Sequence, residues 1–490
     1  MFASVISAAL VGVEACPVRV EAHVGSATKA TFTIVGLPDA AVREARERVR
    51  SAMLASGFPF PGGRVTVNLA PADLPKVGSA YDLPIAMGVL TAARTVAPRV
   101  GEVVALGELA LDGGVRGTRG GLAAGLVARE RGLPCIVSVD AAAEASLSGE
   151  PARGVRSLAQ AVAVAAGDDA GEPALPAPEG EDRPVVDLEE VRGQVPARRA
   201  LEVAAAGGHH LLFVGPPGSG KTMLASALPG ILPDLGLGEQ LDVARARAAG
   251  SRTPRRGSRP PLRSPHHSAT PAAVLGGGSG VPVPGELTLA DRGVLFLDEL
   301  AEFPPHLLDS LRQPLEEGVV HVARKGAAVA FPARFQLLAA TNPCPCGYLG
   351  DERTPCRCPP HAVERYRRRL SGPLIDRFDV RVVVQRVQAF ELAGPPGEPS
   401  EAVRERVVAA RARQRERGRL NRQLDRRILD GLDWSDGARN LLLGAVDRSG
   451  LTARGWDRIR RVARTIADLE PSEAVTEMQM KEALALRGVD

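Results

Sequence analysis

The run Gly215, Pro216, Pro217, Gly218, Ser219, Gly220, Lys221, Thr222 has the residue types and spacing to hold a nucleoside triphosphate. In a Gly-x-x-x-x-Gly-Lys-Thr loop the glycines let backbone N–H groups turn inward around a β-phosphate. The N-terminus of the helix that follows adds partial positive charge. Lys221 can then reach the β- and γ-phosphate oxygens, and the Thr222 hydroxyl can ligate Mg²⁺. Such a loop needs a strand before it and a helix after it. His210–Val214 is a short apolar run and Met223–Leu228 reads as helix, so both are present.

Further along, the apolar run from Gly293 to Leu297 ends in two carboxylates. Asp298 would hold Mg²⁺ through water, and Glu299 would polarise the attacking water as general base. The strand from Phe335 to Thr341 ends in Asn342, which can orient that water from the same edge of a parallel sheet. Arg377 lies between a helical stretch and the strand Val380–Val384, and Arg454 begins an amphipathic helix. A guanidinium at a subunit seam can stabilise charge on a neighbour's γ-phosphate, while composition alone reads either arginine equally as a surface ion pair.

Cys344, Cys346, Cys356 and Cys358 form two close pairs across a turn containing Gly347, Gly350 and Pro355. Four thiolates so spaced can surround one tetrahedral Zn²⁺, and a reducing compartment disfavours two disulfides there. His361 is a spare ligand. The stretch from Gly318 to Phe331 reads as a hairpin with Arg324, Lys325 and Gly326 at its tip. Lysine is scarce, occurring only at 29, 76, 221, 325 and 481, so its placement on a turn is notable. Tips of this kind around a ring would line a channel and neutralise DNA phosphates, and a solvated turn is the plainer alternative. The Gly/Pro-rich insert from Gly276 to Gly285 is a second candidate pore loop. Arg404–Arg427 is strongly basic, but Glu405 and Glu416 make a salt-bridged face an equal reading. His266 and His267 have no metal spacing and no assigned role.

The elements that must position these groups follow from patterning. A chain of 490 residues exceeds one core, and with 44% apolar but only 3% aromatic residues its cores must be built from Ala, Val and Leu. A net charge of +4 makes no global field, so any nucleic-acid contact must be local. Residues 1–167 alternate strands, such as Ala30–Val35 and Arg64–Leu69, with helices such as Asp39–Ala55. Residues 168–184 have the Pro/Gly/acidic composition of a linker. An α/β arrangement is expected over 185–388, with a loop at Gly250–Pro265, and helices over 389–490. Met1–Leu10 lacks the basic region of a signal peptide, and no uncharged apolar run reaches the ~18–20 residues that span a bilayer. The expectation is a cytoplasmic protein with no membrane segment.

Four stretches, Gly207–Leu212, Arg312–Glu316, Asn342–Gly347 and Thr452–Glu470, resemble the ComM/YifB family of magnesium-chelatase-like AAA+ ATPases, and the likeness covers nearly the whole chain. The resemblance implies an AAA+ P-loop core at 185–388 and a C-terminal helical lid at 389–490. It also implies ATP and Mg²⁺ as cofactors, a homo-hexameric ring, and helicase or branch-migration activity on single-stranded or branched DNA during natural transformation. By match to motif, Arg377 takes the arginine-finger position and Arg454 the second sensor position. Asp291 stands where the family usually has His. The tip at Arg324 and Lys325 is similar to the pore hairpin of MCM helicases. Residues 1–167 resemble the α+β proteolytic domain of Lon and the C-terminal domain of RadA-type proteins. There the nucleophile position falls on Ala80, with Ser79 one place off, and the lysine position falls on Leu122. Only Lys76 is near enough to activate a serine, so a non-proteolytic domain is expected. A chelatase-like or chaperone-like remodeller acting on a protein partner would use the same motor and is the alternative.

Overall fold

Alternation at Arg64–Ala70 produces a strand whose side chains point by turns into the core and out of it, with Val65, Val67 and Leu69 fully buried. The computed structural model describes residues 1–490 apart from 38, 75, 77, 169, 175–185, 256, 279–281, 325–326, 450 and 489–490. The chain divides into two units, Met1–Gly180 with Gln240–Gly257, and Glu181–Glu239 with Ser258–Asp490.

The first unit contains β1 (Phe2–Val11), β2 (Glu14–Gly25), β3 (Thr31–Val35), β4 (Arg64–Ala70), β5 (Val104–Leu106), β6 (Glu108–Leu109), β7 (Val115–Arg116), β8 (Cys135–Ser138), β9 (Ala152–Val155) and β10 (Glu172–Pro173). Eight of them form a mixed sheet in the order β10-β9-β8-β5-β1-β2-β4-β3, and β6 pairs with β7. The helix Ala40–Ala55 starts where the Asp39 carboxylate accepts from Val42 N. Part of the expected linker is structured, because Glu172 and Pro173 pair antiparallel with Gly154 and Arg153 at the sheet edge.

The second unit contains β11 (Leu211–Val214), β12 (Leu262–Arg263), β13 (Gly276–Gly277), β14 (Val283–Pro284), β15 (Val294–Leu297), β16 (Val319–Arg324), β17 (Ala327–Pro332), β18 (Gln336–Thr341) and β19 (Val380–Val383). Five make an all-parallel sheet in the order β12-β15-β18-β11-β19. Gly250–Pro265, expected as a loop, therefore contributes an edge strand, since Leu262 and Arg263 pair with Val294 and Leu295. Two residues of strand are too few to show a period, which is why patterning misses them. In β11, β15 and β18 nearly every side chain is buried on both faces, as helix-covered parallel strands require. The core is mostly Ala, Val and Leu, with Phe213 and Phe296 as its few aromatics.

Helices at Ser400–Glu416, Asp436–Ser449, Ala453–Leu469 and Glu477–Ala485 complete this unit. The last three share the core of the parallel sheet through Leu442, Ile459, Ile466 and Met480. Buried polar contacts fix them further. His209 Nε2 is 2.8 Å from Thr465 Oγ1, His210 Nδ1 accepts from Leu337 N at 2.9 Å, and Arg422 Nη1 lies 2.9 Å from His210 Nε2. Burial, helped by the Arg422 charge, pushes the His210 pKa well below its ordinary value, so the imidazole is neutral and its Nδ1 can accept from Leu337 N.

Candidate functional site

Register decides which residues meet. Val214 pairs with Thr341 and Val383, and Leu297 pairs with Ala339, so β11, β15, β18 and β19 end along one edge of the sheet. The residues that follow those ends are Gly215, Asp298, Asn342 and Val384. β11 lies between two strands that come later in the chain, so the edge beside it is a switch point where ligands gather.

The loop from Gly215 to Gly220 joins β11 to the helix Lys221–Ile231. Gly218 and Gly220 have φ of +75° and +89°, and a Cβ added at either meets nothing within 4 Å. The space over the loop is thus open, and the helix N-terminus has no side-chain cap. The Lys221 side chain is buried in the loop, its amine donating to Gly215 O and Pro216 O at 2.8 Å and to Asn342 Oδ1 at 3.4 Å. Burial lowers its pKa, opposed by the fields of Asp298 and Glu299. A buried cation held by neutral carbonyls, below free helix N–H groups, fits a phosphate chain. Thr222 Oγ1 donates to Asp298 Oδ2 at 2.8 Å, which puts two hard oxygen donors side by side where Mg²⁺ would be held.

Glu299 follows directly and takes a left-handed conformation, φ +52° and ψ +49°. Strain of this kind costs a non-glycine residue about 1–3 kcal/mol and recurs at functional positions. Its side chain is 54% exposed, with Oε2 3.1 Å from His267 Nδ1. Sequence reasoning did not find this contact. A lone histidine pair carries no periodic or metal-spacing signal, and only the fold brings residue 267 to the end of β15.

Arg377 and Arg454 do not join this cluster. Arg377 ion-pairs with Glu316 and donates to Pro373 O at 2.6 Å, and neither partner belongs to the phosphate loop. Burial lowers its pKa despite the Glu316 charge, and the charges of Arg312, Arg454 and Arg458 add to the shift. Arg377, Arg411, Arg415, Arg422, Arg458 and Arg461 line one cavity of about 900 Å³. Arg454 is exposed at the start of its helix. The basic stretch from 404 to 427 is largely structural, since Arg404 pairs with Asp234, Arg406 with Glu202 and Glu398, and Arg411 donates to Ala205 O.

The four cysteines do converge. Their sulfurs all lie within 4.8 Å of one another, and His361 is not in the group. Cys344 Sγ is 3.4 Å from Cys346 Sγ and 3.7 Å from Cys356 Sγ, and Cys346 and Cys356 are 3.6 Å apart. Sulfurs at about 2.3 Å from a tetrahedral ion would be about 3.8 Å apart, so the cluster is close to a ligand set. Backbone N–H groups of Tyr348 and Arg357 hold the Cys346 thiol down at about 6. The turn also touches the phosphate loop. Gly347 has φ of +86°, and a Cβ there would lie 2.5 Å from Pro217 Cδ. Gly347→Ala is therefore expected to destabilise the protein by about 1–3 kcal/mol and to weaken nucleotide binding. Melting temperature together with nucleotide titration checks this, and an unchanged affinity would mean that the turn does not shape the loop.

β16 and β17 form the expected antiparallel hairpin, with Arg324 opposite Ala327 at its end. Lys325 and Gly326, between them, lie outside the described residues. In the first unit Ser79 donates to Glu108 and the buried Lys76 amine donates to Pro71 O, so no Ser–Lys pair is formed. Ala80 offers no nucleophile, and Leu122 N donates to Glu144 Oε1 at 3.0 Å. No helix among the described residues is long and apolar enough to cross a membrane.

Three family models match. Residues 187–392 match "Magnesium chelatase, subunit ChlI", 20–140 match "Subunit ChlI of Mg-chelatase", and 397–487 match "Magnesium chelatase, subunit ChlI C-terminal". The chain is 43% identical to YifB of Escherichia coli strain K12, over 98% of this chain and 96% of that protein. It is 42% identical to the competence protein ComM of Haemophilus influenzae, over 99% and 97%. A probable DNA helicase of Oryza sativa subsp. indica, MCM9, is 26% identical over 36% of this chain and 21% of its own length.

Proposed function

The chain belongs to the ComM/YifB magnesium-chelatase-like family, and from that premise we propose that it is an ATP-driven motor acting on single-stranded or branched DNA as a homo-hexameric ring. One observation carries the reading. Lys221, Thr222, Asp298, Glu299 and Asn342 gather at one edge of an all-parallel sheet, with the lysine amine buried under an open loop. The competence role and the helicase role named for two relatives support the choice of DNA.

In this reading the residues from Gly215 to Gly220 wrap the phosphates with backbone N–H groups and Lys221 neutralises them. Thr222 and Asp298 would hold Mg²⁺, which supplies charge neutralisation at the transferring phosphoryl group. Glu299 takes the proton of the attacking water, and Asn342 orients that water. Arg377 and Arg454 serve a site other than their own chain's, with helices 389–490 as the lid that carries Arg454. Arg324 and Lys325 contact DNA phosphates in the channel. The first unit is a Lon-like module without proteolytic activity.

ATPase rates with and without single-stranded and branched DNA test the reading. A clear stimulation that weakens as salt rises is expected. Stimulation by a protein partner and by no DNA would favour the chelatase-like or chaperone-like remodeller instead. The cysteine cluster is proposed to hold structural Zn²⁺. Cys344→Ser with Cys356→Ser is expected to remove the zinc, lower the melting temperature and weaken nucleotide binding through the Gly347–Pro217 contact. Unchanged metal content and melting temperature would remove zinc from the proposal.

A further inference from the structure

The arginine-lined cavity lies at the end of the parallel sheet opposite the phosphate loop. His210 precedes β11, Gly293 precedes β15 and Asp379 precedes β19, and all three line it. The length of β11 alone, about 13 Å, separates it from Gly215. Nine arginines face five carboxylates there, so the lining carries surplus positive charge. Four of those carboxylates are already engaged, Glu316 with Arg377, Asp379 with Arg458, Asp234 with Arg404 and Glu239 with Arg292. Arg411 and Arg461 donate only to the carbonyls of Ala205 and Leu424, and Arg415 is exposed. Among the described residues none of these three, nor Arg422, has an ion-pair partner. Burial lowers the pKa of Arg411 and of Arg422, and the neighbouring charges of Arg415 and Arg461 add to the respective shifts.

The tautomer of His210 adds a second observation. Its Nδ1 accepts from Leu337 N, so the neutral ring carries its proton on Nε2. That N–H faces Arg422 Nη1 at 2.9 Å, and a guanidinium has donors only. Arg422 Nε is also buried with no hydrogen-bond partner among the described residues. Two donors this close cannot satisfy one another, whereas one anionic oxygen beside them accepts from both. His210 and Arg422 both line the cavity, so that oxygen can belong to a ligand within it.

We propose that the cavity binds a small free anion with two or more phosphate groups, one held by His210 and Arg422 and the others by Arg411, Arg415 and Arg461. A volume of about 900 Å³ is that of a small-molecule site. Guanidinium forks match phosphate oxygens in pairs, and several forks spread around one cavity match a chain of phosphates better than a single one. Inorganic polyphosphate and nucleoside polyphosphates share this chemistry. Binding would tie the helices Ser400–Glu416 and Ala453–Leu469 to the start of β11. The inference does not depend on the chain being a DNA motor.

The test titrates inorganic tripolyphosphate and ADP, each without Mg²⁺, into the whole chain carrying Lys221→Ala, whose phosphate loop has lost its cation. Calorimetry and melting temperature are the readouts. Saturable binding of one anion per chain is expected, with melting raised by a few degrees at saturation. Orthophosphate should bind at least about tenfold more weakly, because it reaches fewer of the guanidinium groups. Adding Arg415→Gln, at an exposed side chain, should weaken binding about tenfold and leave the ligand-free melting temperature unchanged. Arg422→Gln should weaken it further. Tighter binding of ADP than of tripolyphosphate would support a nucleoside polyphosphate as the ligand, and the reverse an inorganic chain. Absence of saturable binding, or affinity unchanged by Arg415→Gln, overturns the proposal. So does binding seen in the wild type but lost with Lys221→Ala, since the phosphate loop would then be the site. Displacement of the probe by a single-stranded oligonucleotide at a lower phosphate concentration would overturn it too, by assigning these arginines to a DNA backbone.

Discussion

Glu299→Gln is expected to lower ATP turnover by about 10²–10⁴-fold while nucleotide affinity is retained, because the amide cannot accept the proton of the attacking water. The substitution is nearly isosteric, and the Glu299 side chain is more than half exposed, so the fold should not suffer. Its backbone N–H, which donates to Asp298 Oδ1 at 2.9 Å, and its carbonyl, which accepts from Glu302 N at 2.7 Å, are untouched. Lys221, Thr222 and Asp298 keep their positions, and binding of a fluorescent nucleotide should therefore match the wild type. The measurement is steady-state phosphate release beside equilibrium binding. Turnover within a few-fold of wild type would reject Glu299 as the base.

Arg377→Ala should have an effect at least as large, about 10³–10⁵-fold, if the guanidinium stabilises charge on a neighbour's γ-phosphate. Truncation also leaves Glu316 without its ion-pair partner, so Arg377→Lys is the necessary companion. It preserves a cation beside Glu316 but lacks the planar fork, and activity should stay low. The sharper experiment mixes two inactive chains. Glu299→Gln still offers Arg377 to its neighbour, and Arg377→Ala still has Glu299 in its own site. Co-assembled rings should recover part of the activity at interfaces that combine the two intact halves. No recovery from mixed rings of demonstrated subunit exchange would mean that Arg377 works within its own chain or is only structural.

The contrast between Glu299 and Arg377 shows how much of the site can be read from residues in order. The phosphate loop is legible because its chemistry is carried by consecutive positions. Backbone geometry over Gly215–Gly220 needs glycine at particular places, and Lys221 must open the helix. The strands that end at Asp298 and Asn342 are legible for a related reason, since a mostly apolar run that stops at a polar residue marks a buried parallel strand. Cys344, Cys346, Cys356 and Cys358 were readable as a ligand set from spacing alone, and their sulfurs converge. The edge strand Leu262–Arg263 was not legible, and neither was the pairing of Glu172–Pro173, because two residues have no measurable period.

By itself the sequence determined the local parts: which of the longer segments are strands or helices, where a phosphate chain can be wrapped, and which four thiols share a turn. Only the tertiary structure decided the distances between parts remote in the chain. It set Asn342 against Lys221, His267 against Glu299 and Gly347 against Pro217, and it grouped Arg377 with Glu316 away from the phosphate loop. The physical reason is that local propensity and spacing act within a few residues. Contacts across scores of residues are set by sheet order and register, which emerge when every strand has found a buried place.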